Sequence, residues 1–134
     1  RLWEVCGTGA AIVLYQIGYA AGERIAEKLM KLLGPEEMRK RLNRVVKLYT
    51  ACGWGITDLL ELSEEKVVVR VYDSFECLPV EGMYKEPRGH FLRGHLDGLF
   101  SKTLNKKFTA KEVKCIAKGD PYCLFELKAE GSKK

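Results

Sequence analysis

Apolar positions along this chain follow two rhythms, and the changes between them mark the elements. From residue 8 to residue 33, Leu14, Ile17, Ala21, Ile25, Leu29 and Leu32 recur at helical spacing, which predicts one long helix closed by Gly34-Pro35. Pro35-Glu36-Glu37 opens a second helix, because proline fits an early helical position and the acids face the positive end of the dipole. Its stripe runs through Met38, Leu42, Val45, Val46, Tyr49 and Cys52 and stops at Gly53-Trp54-Gly55. The runs Ile56 to Leu62 and Lys66 to Tyr72 predict two strands joined by Ser63-Glu64-Glu65. Val67, Val69 and Val71 share one face, and Val68, Arg70 and Tyr72 share a wetter one. Helical spacing returns from His90 to Leu104, with Leu92, Leu96, Leu99, Phe100 and Thr103 on one face. Val113 to Ala117 and Cys123 to Leu127 then predict a hairpin around Lys118-Gly119-Asp120-Pro121.

The order helix, helix, strand, strand, helix, strand, strand predicts an α+β fold, with an antiparallel sheet packed against helices mainly on one side. Residues 1–130 form a single domain on this reading, and 131–134 a polar tail. Glycines four apart, Gly18 and Gly22 in the first helix and Gly94 and Gly98 in the third, each cost about 1 kcal/mol against alanine. Tight packing against another helix is the expected compensation, with close approach of a ligand the alternative. The longest irregular stretch, Ser74 to Gly89, is of the kind that carries function or moves.

Composition narrows the classes. A content of 46% hydrophobic and 31% charged residues is that of a soluble globular domain. The net charge of +5 is interspersed with acids along the helices, so no nucleic-acid stripe forms and no direct nucleic-acid binding is expected. The apolar run from Gly7 to Ala21 ends at Glu23 and Arg24, too short to span a membrane. The chain starts at Arg1 without an initiator methionine or signal peptide, as expected of a processed or truncated piece of a longer protein. Five cysteines, an odd and sparse set, fit a reducing cytoplasm better than a secreted disulfide framework.

The candidate chemistry lies in the final hairpin. Cys115 and Cys123 are symmetric about Gly119, which would place them opposite each other with Cβ atoms roughly 4.5–5.5 Å apart. That spacing admits a tetrahedral metal, a disulfide or plain packing of two small apolar residues. Further ligands would come from Glu112, Cys77 and His90. In a regular strand Glu112 faces away from Cys115 and joins the site only through a bend or bulge. Cys77 follows the second strand and could reach across. His90 opens the third helix, where it can swing to a sheet edge, whereas His95 is expected to be an ordinary surface histidine. Two or three thiolates favour a closed structural site over an open hydrolytic one. No Walker or dinucleotide loop is present, no serine sits in a nucleophile elbow, and nothing marks a base for Cys115. Gly7-Thr8-Gly9 lacks a preceding strand and reads as a helix start. Cys6 and Cys52 are expected to be core thiols.

Five segments carry a resemblance: Gly18 to Glu23, Ser74 to Cys77, His90 to Gly98, Glu112 to Cys115, and Gly119 to Phe125. Together they resemble the 4-vinyl reductase domain family over nearly the whole chain, the last segment being the most specific. The resemblance implies a fold similar to haem-NO-binding-like domains and to TRAPP trafficking-complex subunits. It implies a cytoplasmic domain that binds a small, often hydrophobic molecule between helices and sheet, as in sensor domains of transcription regulators responding to aromatic hydrocarbons or in stand-alone archaeal proteins. One branch of the family is associated with reduction of a vinyl group in bacteriochlorophyll synthesis. It also implies zinc held by Glu112, Cys115 and Cys123. The family places a further cysteine at the start of the preceding helix, where this chain has Gly89-His90. His90 or Cys77 then supplies the fourth ligand, or the site is incomplete. The expected pocket residues are Tyr15, Trp54, Phe75, Phe91 and Leu96, and a homodimer is the expected assembly. The alternatives are a protein–protein assembly module and, ranked last for want of an acid–base pair or cofactor motif, a reductase-related enzyme.

Overall fold

A computed structural model describes residues 1–131; of the expected polar tail only Gly131 falls within them, and residues 132–134 lie outside. The elements are α1 (Leu2–Cys6), α2 (Gly9–Leu33), α3 (Pro35–Lys40), α4 (Leu42–Ala51), β1 (Ile56–Leu62), β2 (Lys66–Tyr72), α5 (His90–Leu104), β3 (Phe108–Lys114) and β4 (Cys123–Ala129). The expected α+β order holds, with differences at four places. Helix α1 adds a short element with no buried residue, which no periodicity announces over so few positions. The second predicted helix is divided at Arg41, whose φ of −102° and ψ of 8° leave the helical basin. The division has a packing cause, since α3 lies against α2 and α5 while α4 lies against β1. The long segment after β2 contains a 3-10 turn at Leu78–Val80. The first strand of the final hairpin begins at Phe108 and ends at Lys114, earlier than the sequence suggests; Ile116–Lys118 form a 3-10 turn instead.

The four strands lie in the order β1-β2-β4-β3, every pair antiparallel. Register pairs Val67 with Leu127, Val69 with Phe125 and Val71 with Cys123, then Leu127 with Ala110 and Phe125 with Glu112. All of these side chains are buried and make up the inner face. The opposite face carries Arg70, Tyr72, Glu126 and Lys128, so the sheet is covered on one side as its alternation predicts. Over the inner face, α4 packs on β1 and α5 on β3, and α2 forms a further layer on α5.

Helix α5 is therefore enclosed between strand and helix, and every residue from Gly94 to Phe100 is buried. A helix covered all round has no solvent side to give its polar residues. This corrects the surface position expected of His95, which is fully buried along with Asp97. The glycine pairs explain how the layers fit. A Cβ on Gly18 or Gly22 would collide with the carbonyls of Phe91 and His95, and one on Gly94 or Gly98 with those of Tyr15 and Tyr19. The two helices thus meet backbone to backbone. Among the described residues, no helix is long and apolar enough to cross a membrane.

Candidate metal centre and adjoining cavities

The hairpin expected to hold the two cysteines is irregular where it matters. Glu112 pairs with Phe125 and Lys114 with Leu124, so Val113 is an extra residue, a bulge. Glu112 faces the buried side in step with Phe108 and Ala110, and the extra residue after it brings Cys115 round to that same side, the departure from a regular strand that joins the two. Cys115 is not a ladder partner of Cys123; it follows the strand end in an extended conformation and leads into the 3-10 turn. Gly119, with φ 99°, closes that turn in a conformation that favours glycine. The Asp120 carboxylate accepts the Cys115 backbone N–H at 2.8 Å and fixes the loop.

Cys77 arrives from the segment after β2, its Sγ 3.6 Å from that of Cys115. One ligand atom each from Cys77, Glu112, Cys115 and Cys123 lies within 4.8 Å of the others, and all four residues are buried. All three thiols are free. Backbone N–H groups of Arg88 and Ile116 point at the sulfurs of Cys115 and Cys123, at 3.4 and 3.5 Å. Gly89 N–H donates to Glu112 Oε1 at 2.9 Å, while Oε2 is buried with no hydrogen-bond partner. Three soft sulfurs and a carboxylate, one of whose buried oxygens has no hydrogen-bond partner, are the donor set of a closed four-coordinate cation site. The group can hold a metal ion.

Charge in the group is held unevenly. Thiol donation from Cys123 and Cys77 holds Cys115 far below the usual cysteine range, and the same contacts with burial push Cys77 and Cys123 up. Burial first, and then the charge of Cys115, raise Glu112 to about 9. Protons held by this group are ones that a divalent cation must expel on binding.

His90 is not part of this group. Its ring lies 5.7 Å from that of Trp3, and burial, with Arg93 nearby, holds it below the usual histidine range. At Gly89 a Cβ would come within 2.8 Å of both Glu112 carboxylate oxygens, so the carboxylate fills the space a side chain would use. The third sulfur comes from Cys77.

Of the expected pocket residues, Phe75 and Phe91 line a cavity of about 300 Å³ together with Leu14, Val80 and Tyr84. Trp54 backs them, stacked on Tyr49 at 4.9 Å and edge-on to Phe91 and His95. Tyr15 and Leu96 lie elsewhere. The Tyr15 hydroxyl hydrogen-bonds Asp97 at 2.5 Å, and Leu96 is 2% exposed in the core. Cys6 and Cys52 are exposed, which corrects the core positions expected of them: α1 buries nothing, and Cys52 sits beyond the last turn of α4.

Two polar features have no signature in the sequence. Glu76 accepts the backbone N–H groups of Phe91 and Leu92 at 2.8 and 3.1 Å, capping α5 from an irregular segment that carries no local capping pattern. Burial raises its pKa to about 7. Tyr49 and His95 share a hydrogen bond of 2.6 Å, and His95 Nδ1 has no partner among the described residues.

Burial lowers His95 from 6.5 to about 4, so the unfolded chain takes up this proton at a higher pH than the folded one. Stability from a neutral His95 is present above pH 6.5 and is lost as pH falls towards 4, on the order of 3 kcal/mol in all. Glu76 and Asp97, raised by burial to about 7 and about 6, act with the opposite sign in the same window. The difference in urea stability between the native chain and His95→Phe should therefore shrink steadily from pH 7 to pH 4. A difference that stays flat would contradict a buried neutral histidine.

Comparison with known proteins agrees with this architecture. The family profile of the 4-vinyl reductase domain matches residues 67–129, which includes α5 and all four residues of the metal group. The uncharacterized protein MJ1642 of Methanocaldococcus jannaschii is 30% identical over 113 residues, 81% of this chain and 68% of that protein. Among solved structures, the phenol-responsive sensory domain of the transcription activator PoxR, solved with phenol, superposes with a TM-score of 0.79 at 20% identity, over 98% of this chain and 71% of its own. A vinyl-4-reductase family protein from M. jannaschii gives 0.62 at 21% identity, over 87% and 67%. Trafficking protein particle complex subunit 3 from Naegleria fowleri, covalently bound to palmitic acid, gives 0.61 at 13% identity, over 95% and 84%. The last three share the fold. With the profile over α5 and the strands β2 (from Val67), β3 and β4, and a 30%-identical relative covered over 68% of its length, the chain belongs to the 4-vinyl reductase domain family.

Proposed function

We infer that this chain is a small-molecule-binding sensory domain whose Cys77–Glu112–Cys115–Cys123 group holds a structural zinc. One observation carries the reading. Val80 and Tyr84 form part of the cavity wall, and the segment bearing them is tied to the metal group at both ends, by Cys77 and by Gly89 N–H on Glu112. Gly82 and Tyr84 N–H groups also bond to the Ile116 and Ala117 carbonyls of the 3-10 turn. Zinc, supplying only cross-linking charge here, would fix the wall, and an occupant of the cavity would press on the same segment. Small aromatic molecules are the first class to try, since PoxR's sensory domain was solved with phenol. Free buried thiols are consistent with a reducing cytoplasm.

Calorimetry of the zinc-loaded chain against phenol, benzyl alcohol and short fatty alcohols should show saturable binding. Val80→Phe, which fills the cavity, should weaken it at least tenfold without lowering the melting temperature. A folded, zinc-loaded chain that binds neither these nor small aromatic acids would favour an assembly module instead. An assembly contact has its own support: Ile12, Val13 and Ile17 on α2 are 68%, 40% and 55% exposed, an apolar surface suited to a homodimer. Sedimentation of Ile17→Glu against the native chain tests this second reading, with conversion of dimer to monomer expected.

A further inference from the structure

We propose that the cleft next to the apolar cavity receives a carboxylate, so that the ligand is a small aromatic or short-chain acid rather than a neutral molecule. The inference rests on the ligand-binding reading above and adds the chemical class. The cleft, of about 470 Å³, lies between α1 and α2 on one side and the start of α5 and β3 on the other. Its lining includes Arg88, Arg93 and Lys111, and none of the three has an ion-pair partner among the described residues. Two carboxylates also line it. Glu112 is committed to the thiol group and Gly89, which leaves Glu86 as the one remaining acid among the described lining residues, facing three cations.

Arg88 is the residue that makes this a binding site. Its guanidinium carbon lies 3.9 Å from the ring centres of both Trp3 and Tyr84, so two aromatic rings hold the fork in place. Contact with the ring faces uses none of the guanidinium N–H donors, and Nε is buried without a partner among the described residues. A planar fork held this way matches a carboxylate in two-point geometry. Arg93 is similarly placed over the Tyr15 ring, at 4.4 Å, and also borders the cleft. Arg88 and Trp3 border the apolar cavity as well. A carboxylate on Arg88 therefore leaves its hydrocarbon part within reach of Phe75 and Phe91. A competing role exists for these cations. Three thiolates and a carboxylate around a divalent ion keep a net negative charge, and the Arg88 backbone N–H already contacts Cys115.

The test is calorimetry of the zinc-loaded full chain with benzoate and phenylacetate, with phenol and benzyl alcohol as neutral counterparts and phenyl phosphate as a second anion. The acids should bind at least tenfold more tightly than the neutral compounds. Arg88→Met should abolish that preference and Arg93→Met reduce it, each with zinc content unchanged. Equal affinity for acids and neutral compounds would overturn the carboxylate assignment and leave the ligand-binding reading standing; no binding of any compound would remove both. Phenyl phosphate binding well above the acids would overturn it in favour of a phosphate site. Loss of zinc in Arg88→Met would assign the arginine to the metal group and overturn it too.

Discussion

Cys123→Ser should lower the melting temperature by roughly 15–25 °C, and a strong chelator should do the same to the native chain while leaving the variant unmoved. Structural zinc sites contribute folding free energy outright, because the unfolded chain has no preformed cage. Cys123 is fully buried at the start of β4, on the inner face beside Phe125. Its sulfur meets the Ile116 N–H, and its group ties together three parts of the chain distant in sequence: the segment after β2, the bulged end of β3 and the start of β4. Serine keeps the size and loses the soft ligand. A loss of about 5 kcal/mol is reasonable for a broken buried metal site, and at this chain length each kcal/mol moves the midpoint by about 3–5 °C. Cys6→Ser is the matched control, since that thiol is exposed and outside the group, and it should change nothing. Melting is read by calorimetry, and zinc by mass spectrometry on the same samples. A chelator-treated native chain that melts where the untreated one does would end the structural-metal reading.

What the sequence shows of this site and what it hides follow from different physics. Bounds of β2 and α5 are legible because a two-residue or helical period runs across each of them, and those of β1, whose register shifts between Leu59 and Glu61, from the Gly53-Trp54-Gly55 and Ser63-Glu64-Glu65 breaks on either side. The bulge at Val113 is not legible, since one added residue in a strand leaves no mark in local composition; it shows only through its need, that Glu112 must face Cys115. The choice between Cys77 and His90 for the fourth position depends on how the segment from Ser74 to Gly89 folds over the sheet, which no local pattern encodes. The burial of His95 has a different cause. On α5 it flanks the apolar stripe, three residues after Leu92 and four before Leu99, and its ring is enclosed by Tyr49, Trp54 and Phe91, contacts that no local pattern announces. Arg88 stays hidden for a related reason. Its stacking on Trp3 depends on α1, a helix too short for periodicity to reveal.

The glycine pairs give the second large effect. Gly22→Ala should destabilise the chain by about 3 kcal/mol or more, with a melting temperature lower by roughly 10 °C, although alanine is the better helix former by about 1 kcal/mol. The sign is decided by what the new methyl group meets. At Gly22 it runs into the carbonyl of His95 and the backbone N of Leu99, and backbone cannot rotate aside as a side chain can. Relief requires α2 to move off α5, and that movement would separate Gly18 from Phe91 and Gly94 from Tyr15 as well, because the contact is continuous along both helices. Gly9→Ala, in the same helix with open space around the added methyl, isolates the propensity term and should be neutral or stabilising. The strain also reaches the apolar cavity, since Leu14 on α2 and Phe91 on α5 line it from the two sides of that contact. A variant of Gly22 that retains the fold should bind aromatic ligands more weakly, with Gly9→Ala unchanged. Equal melting of the Gly22 and Gly9 variants would mean that the helices do not approach as closely as their glycines allow.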